Sequence, residues 1–124
     1  MYFWAIPNGG DRVGAFLGWL EELPVAMVSH LPLTAPTDPA DVLAIATLDA
    51  RLDRWVARAP THHAEQAQLD LRIAASGWSL EATAAIRRAA LLFLALEPRE
   101  RNSHAVQLVL APFDALGPIG AALD

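Results

Sequence analysis

Apolar residues recur at three- and four-residue steps along most of the chain, which is the spacing of one face of an α-helix. The first such stripe begins near Asp11 and stops at Pro24. The longest stripe follows Asp38, which is placed to cap a helix whose first position is Pro39, and it runs to about Ala59. Its apolar positions are Val42, Ile45, Leu48, Leu52, Trp55 and Val56.

A third helix is predicted with Thr61 as its cap. Gly77 marks its end, since a left-handed residue is favoured just after a helix. Its apolar residues Leu69, Leu71 and Ile73 alternate instead of forming one stripe, so the pattern supports this helix less strongly than the others.

Two more helices are predicted in the second half of the chain. Ser79 is placed to cap one that ends before Pro98, because the residue before a proline avoids the helical conformation. Ser103 is placed to cap the last, which contains Pro112. For residues 105–110 a short strand is the alternative, since VQLVL is partly β-branched.

The remaining segments are short and rich in turn-forming residues. Residues 1–10 are predicted to form a short extended segment and a loop, and residues 32–38 an internal linker. Between the first helix and this linker, residues 25–31 form either a short helix or an extended stretch. The expected fold is one all-α domain over residues 1–124, a bundle or orthogonal array of five to six helices joined by proline-marked loops.

The composition is apolar for a single small domain. Hydrophobic residues make up 54% of the 124 positions, and at this size a large part of the surface stays exposed, so part of it is expected to be covered by another chain. A membrane span needs about 20 largely uncharged residues in a row, whereas the best apolar candidate here is the run of residues 89–96, preceded directly by two arginines. The first ten residues lack the features of a secretory signal, which favours a cytoplasmic protein.

The types of residue that the chain lacks exclude several kinds of chemistry. It has no cysteine, which excludes disulfides and thiolate metal sites. All nine basic residues are arginine, so Schiff-base chemistry and a lysine-containing phosphate loop are also excluded. The arginine bias favours a GC-rich bacterial genome as the source. The net charge of −5 makes nucleic acid an unfavourable partner.

The sequence GWSLEATAAIRRAALLFLAL, residues 77–96, contains two adjacent arginines in an apolar helix. One face of this helix is expected to be core, and it comprises Ala82, Ala85, Ile86, Ala89, Phe93 and Leu96. The other side carries Arg87, Arg88, Leu91 and Leu94. The arginines either reach solvent along their aliphatic stems or pair with carboxylates of the chain, such as Glu81. Alternatively, this second apolar side contacts a partner, since interfaces favour leucine, aromatics and arginine, or an arginine binds an anion or takes part in catalysis.

A second arginine stripe lies on the longest helix. Arg51, Arg54 and Arg58 share one face, which is usually a solvated surface but could meet an acidic partner. The predicted partner-binding residues are therefore Arg87, Arg88, Leu91, Leu94, Arg51, Arg54 and Arg58.

No pattern indicates a catalytic or metal site. His62 and His63 are adjacent, so they point about 100° apart on a helix and do not form the i, i+4 pair that zinc sites use. Asp49 and Asp53 are spaced as a carboxylate pair, but the sequence offers no further group to work with them. We expect no cofactor and no metal.

The leading functional hypothesis is protein–protein association, as a homodimer or as an adaptor, inhibitor or subunit of a larger assembly. One alternative is a small-molecule binder or minor enzyme with an apolar pocket between helices, in which Arg87, Arg88 or His104 orients the ligand. The other is a helix-turn-helix-like DNA-binding regulator that uses residues 73–90.

Overall fold

The computed structural model describes residues 12–33, 35–114 and 116. These residues form six α-helices, one 3₁₀ helix and no strand, which confirms the all-α fold class. The predicted extended segment at residues 1–10 lies outside the described part, and residues 31–33 and 35–38 form no helix. The helices are α1 Arg12–Glu22, α2 Val25–Ser29, α3 Pro39–Arg58, α4 Pro60–Ala75, α5 Leu80–Ala95, the 3₁₀ helix Pro98–Asn102 and α6 His104–Asp114.

Three of the predicted caps are confirmed. The Asp38 carboxylate accepts a hydrogen bond from the backbone N–H of Ala40 at 2.8 Å. The Ser79 hydroxyl accepts one from Ala82 at 3.2 Å, and the Ser103 hydroxyl accepts one from Val106 at 3.4 Å. Each oxygen satisfies a backbone donor that has no partner inside the helix.

Two expectations about helix positions are settled by the backbone. The prediction that Thr61 caps α4 is wrong: the cap is Ala59, in an extended conformation, and Pro60 takes the first helical position, which suits its fixed φ. A single residue therefore joins α3 to α4. Residues 105–110 belong to α6, so the helical alternative holds there and the strand does not.

Helix α5 is the centre of the described structure, in contact with α1, α2, α3, α4 and α6. Its predicted core face is buried apart from Ala85, which is half-buried. Five successive residues of its C-terminal half are buried: Ala89, Ala90, Leu91, Leu92 and Phe93. A helix that is apolar nearly all round is expected to lie in this position.

Aromatic rings join three helices in the core. Phe16 of α1 lies 5.3 Å from Phe93 of α5 and 5.4 Å from Phe113 of α6, measured between ring centroids. Both separations fall in the range of favourable tilted and edge-to-face contacts. In the described residues, no helix combines the length and the apolar character needed to cross a membrane.

Candidate protein-binding surface

The two arginines of α5 pair within the chain, each with a different neighbouring helix. Arg88 donates from Nε and Nη2 to both carboxylate oxygens of Asp49 on α3, at 2.8 and 2.9 Å. Arg87 donates from Nε to Asp70 of α4 at 2.8 Å. The partners are thus Asp70 and Asp49, not Glu81. The two arginines together connect α5 to both α3 and α4.

These pairs leave little free positive charge beside α5. An open groove of about 300 Å³ runs between α3 and α5. Its four charged side chains are two arginines and two aspartates, so their formal charges cancel. Such a groove does not concentrate anions, which removes support from phosphate or DNA binding at Arg87 and Arg88. The lining residues are Asp49, Leu52, Asp53, Ala84, Arg87, Arg88 and Leu91.

We expect the Arg88–Asp49 pair to contribute modestly to stability. Both side chains are about 40% exposed, so water and salt screen the pair, and the coupling energy is expected to be about 0.5 to 1 kcal/mol. A double-mutant cycle of Arg88→Ala and Asp49→Ala, measured by urea unfolding, gives this value. The same cycle with Arg54→Ala in place of Arg88→Ala is the control and should show no coupling. Equal coupling in both cycles would contradict the assignment.

The predicted partner contacts at Leu91 and Leu94 need revision. Leu91 is only 3% exposed, because α3 covers the side of α5 on which it lies, so it is a core residue of this chain. Leu94 is half-buried and lines a groove between α1 and α4, together with Val13, Leu17 and Leu69. The second side of α5 is therefore closed largely by the chain's own helices.

The arginines of α3 do not act as one stripe. Arg51 donates from Nη2 to Glu100 of the 3₁₀ helix at 2.6 Å. Arg54 and Arg58 are exposed, and neither has an ion pair with another described residue. Two of the three predicted positions thus remain open on the surface, at the C-terminal end of α3.

The Arg51–Glu100 contact makes stability depend on pH. The hydrogen bond from Arg51, supported by one from the backbone N–H of Glu97, lowers the pKa of Glu100. A glutamate whose pKa is lowered in the folded state makes its full contribution to stability when the pH is above the ordinary glutamate pKa of about 4.3. That stabilisation is lost as the pH falls through the lowered value.

We therefore expect Glu100→Gln to be less stable than the wild type at neutral pH, with the difference disappearing in acid. Urea unfolding at a series of pH values measures it. In a companion NMR titration, Arg51→Gln should move the titration of Glu100 to higher pH. Unchanged titration of Glu100 in that variant would contradict the assignment.

Two of the histidines, His62 and His104, make contacts between helices. His62 stacks on Trp55, with ring centroids 4.0 Å apart and planes at 7°, and its Nδ1 lies 2.7 Å from the Trp55 carbonyl oxygen. His104 Nε2 lies 2.7 Å from Asp41 Oδ1, linking α6 to α3. Within the described ranges, no three acidic or histidine side chains are grouped as metal ligands.

Two of the charged side chains of α4 pair with neighbouring helices. Its three charged residues are Glu65, Asp70 and Arg72. Asp70 accepts from Arg87 of α5, and Arg72 donates to both carboxylate oxygens of Glu21 on α1, at 2.7 and 3.2 Å. The Glu21 hydrogen bond raises the pKa of Arg72. The charges of this helix therefore lie at its flanks, toward the rest of the protein.

The side of α4 that points away from the protein is apolar, and we call it the α4 outer face. At 100° per residue its members lie within about 100° of arc, and all of them are exposed. Leu71 is 73% exposed, whereas Leu69 and Ile73 are buried. The α4 outer face consists of Ala64, Ala67, Leu71, Ala74 and Ala75.

Comparisons with protein-family models, curated proteins and solved structures give no match in any of the three. The function must therefore be inferred from the surface itself.

The α4 outer face was missed by the sequence reasoning, although one signal pointed to it. Leu71 breaks the helical stripe of Leu69 and Ile73, since it lies two residues from each. Other large apolar side chains are also exposed, but those on α3, Val42 and Leu43, share their side of the helix with charged residues farther along. The remaining ones are Val25, Met27, Leu33 and Leu80.

Proposed function

We propose that this protein acts by binding another protein chain through the α4 outer face. The observation that supports this is that α4, which buries Leu69 and Ile73, also exposes apolar side chains on its opposite side. A surface helix normally buries its apolar side and exposes its charges. Here Asp70 and Arg72 are held by neighbouring helices, while Leu71 and four alanines face solvent.

The chemistry of this surface favours a protein partner over a charged ligand. Covering an exposed apolar area that contains no charge with another apolar surface lowers the free energy and so favours binding. Burying one leucine side chain fully is worth about 1.5 to 3 kcal/mol. The alanines beside Leu71 let a second backbone approach closely, so that a facing helix could cover the whole length of α4.

The alternatives have weaker support among the described residues. The α3–α5 groove, which contains Arg87 and Arg88, has balanced charges and is open to solvent. Another groove, of about 390 Å³, lies where the C-terminal ends of α1 and α4 meet Val25 of α2 and Trp78, and it has the Glu21–Arg72 ion pair in its wall. Neither combines an enclosed apolar cavity with a free polar group to orient a small molecule.

Two matched leucine variants test the proposed function. Leu71→Asp places a charge on the α4 outer face, and Leu80→Asp places the same charge at an exposed site on α5, where Leu80 is 88% exposed. Native mass spectrometry of the untagged protein purified from its source shows which chains accompany it. We expect an associated protein chain, itself or another, with the wild type and Leu80→Asp, and its loss with Leu71→Asp. A bare monomer in all three preparations would contradict the proposal.

A further inference from the structure

We propose that the partner of the α4 outer face is the same face of a second copy, packed antiparallel about a twofold axis close to residue 69. This inference rests on the proposed function and names the partner. Three observations support it: the spacing of the outer residues, their symmetry about residue 69 and the absence of charge from this face.

The spacing is that of a coiled-coil seam. Ala64, Ala67, Leu71 and Ala74 follow one another at steps of three, four and three residues, which is the a and d pattern of helices that pack side by side. All four are exposed, so this seam faces outward and no described residue covers it. A second helix with the same spacing of apolar residues can pack against such a seam.

The positions of the small and large residues are complementary under a twofold axis. Ala67 and Leu71 lie two residues on either side of residue 69, and Ala64 and Ala74 lie five residues on either side. In an antiparallel pair, each Leu71 therefore meets Ala67 of the second copy, where there is room for it. In a parallel pair the two Leu71 side chains would meet at one level, and the alanines would leave gaps. A twofold interface uses the same patch on both subunits, as this arrangement does.

The charges also suit two copies of this chain. Each copy carries a net charge of −5, so contact through most surfaces brings like charges together, whereas the α4 outer face carries none. Glu65 and Arg72 lie about 120° and 100° around the helix from Leu71, and Arg72 is bound to Glu21 of α1, so these two charges stay out of the contact.

The size of the seam predicts reversible association. One leucine and three alanines per copy, spread over about 15 Å of helix, bury less area than the roughly 1,000 Å² that stable interfaces exceed. We therefore expect a dimer that dissociates in the micromolar range, not an obligate one.

Sedimentation equilibrium over a concentration series tests the dimer. The wild type and Leu80→Asp should share one dissociation constant. Leu71→Asp should weaken it by about a hundredfold or more, since each dimer loses two leucine contacts. A circular dichroism spectrum of each variant checks that it is folded. A wild type that stays monomeric at every concentration, or equal effects of the two aspartates, would overturn the inference.

Engineered cysteines test the orientation without changing Leu71. The chain has no cysteine of its own, so Ala64→Cys and Ala74→Cys each add a single thiol. Upon oxidation, a mixture of the two variants should give the disulfide between different variants, because the antiparallel pair places residue 64 opposite residue 74. Each variant by itself should not crosslink, since its two thiols lie about 15 Å apart along the helices. Crosslinking of Ala64→Cys with itself, or no disulfide in the mixture, would overturn the antiparallel arrangement.

One result separates this inference from the proposed function. If the purified chain is monomeric but binds a different protein, and Leu71→Asp abolishes that binding while Leu80→Asp does not, the proposed function stands and the second copy is the wrong partner. If no chain associates through α4 in either experiment, both fail.

Discussion

Replacing Phe16 with alanine is expected to lower the free energy of unfolding by about 3 to 5 kcal/mol. Phe16 is fully buried and contacts the rings of Phe93 and Phe113, so it connects α1 to α5 and α6. Alanine removes the ring from all of these contacts and leaves a cavity that the surrounding helices fill only in part. Urea unfolding followed by circular dichroism measures the loss.

Two control variants separate the cavity from general effects of substitution. Phe16→Leu retains most of the apolar volume and should cost distinctly less than Phe16→Ala. Leu80→Ala truncates a large apolar side chain at an exposed site, and should change stability by no more than about 0.5 kcal/mol. A loss below about 1 kcal/mol for Phe16→Ala would mean that the three rings do not form a shared core, since replacing a buried phenylalanine with alanine normally costs several times more.

Replacing Ala89 with leucine should destabilise the protein by about 1 to 3 kcal/mol, or prevent folding. Ala89 is fully buried on α5, the helix on which most of the others pack. A leucine there adds three carbon atoms at a position that is already fully buried, and the helices must separate to admit them. The change in urea midpoint measures the effect.

The control for this prediction lies on the same helix. Ala84 is exposed, and leucine has nearly the helix propensity of alanine, so Ala84→Leu tests the larger side chain without the crowding. It should leave stability within about 0.5 kcal/mol of the wild type. If Ala89→Leu and Ala84→Leu unfolded at the same urea concentration, the close packing around α5 would be refuted.

Much of the fold was accessible from the sequence because its signals are local. A cap such as Asp38 or Ser79 acts on backbone groups two or three residues away, and the left-handed conformation of Gly77 depends on its own missing side chain. The beginning of α4 was misplaced because two local signals conflicted: Thr61 can cap a helix, but Pro60 can begin one. The proline prevailed, because its ring fixes φ at a helical value.

The contacts between helices were not accessible in the same way. The arginine at position 88 could be placed on a face of its helix, but its partner Asp49 is 39 residues away, and only the packing of α3 against α5 brings the two together. The same packing buries Leu91. Periodicity shows which residues share a face, but not which neighbouring helix covers that face, and the outward position of Leu71 became clear only when α4 was placed.

The central position of α5 also determines the order in which the chain can assemble during synthesis. Helices α1 and α2 leave the ribosome first, but the helix on which they pack comes after α3 and α4. The neighbours α3 and α4, joined by one residue, can meet through a local segment of chain, which closes with little loss of entropy. The apolar side of α1 that packs on α5, with Phe16 and Leu20, remains exposed until α5 has emerged. A nascent chain that stops before Leu80 therefore exposes apolar surface that the finished protein buries completely.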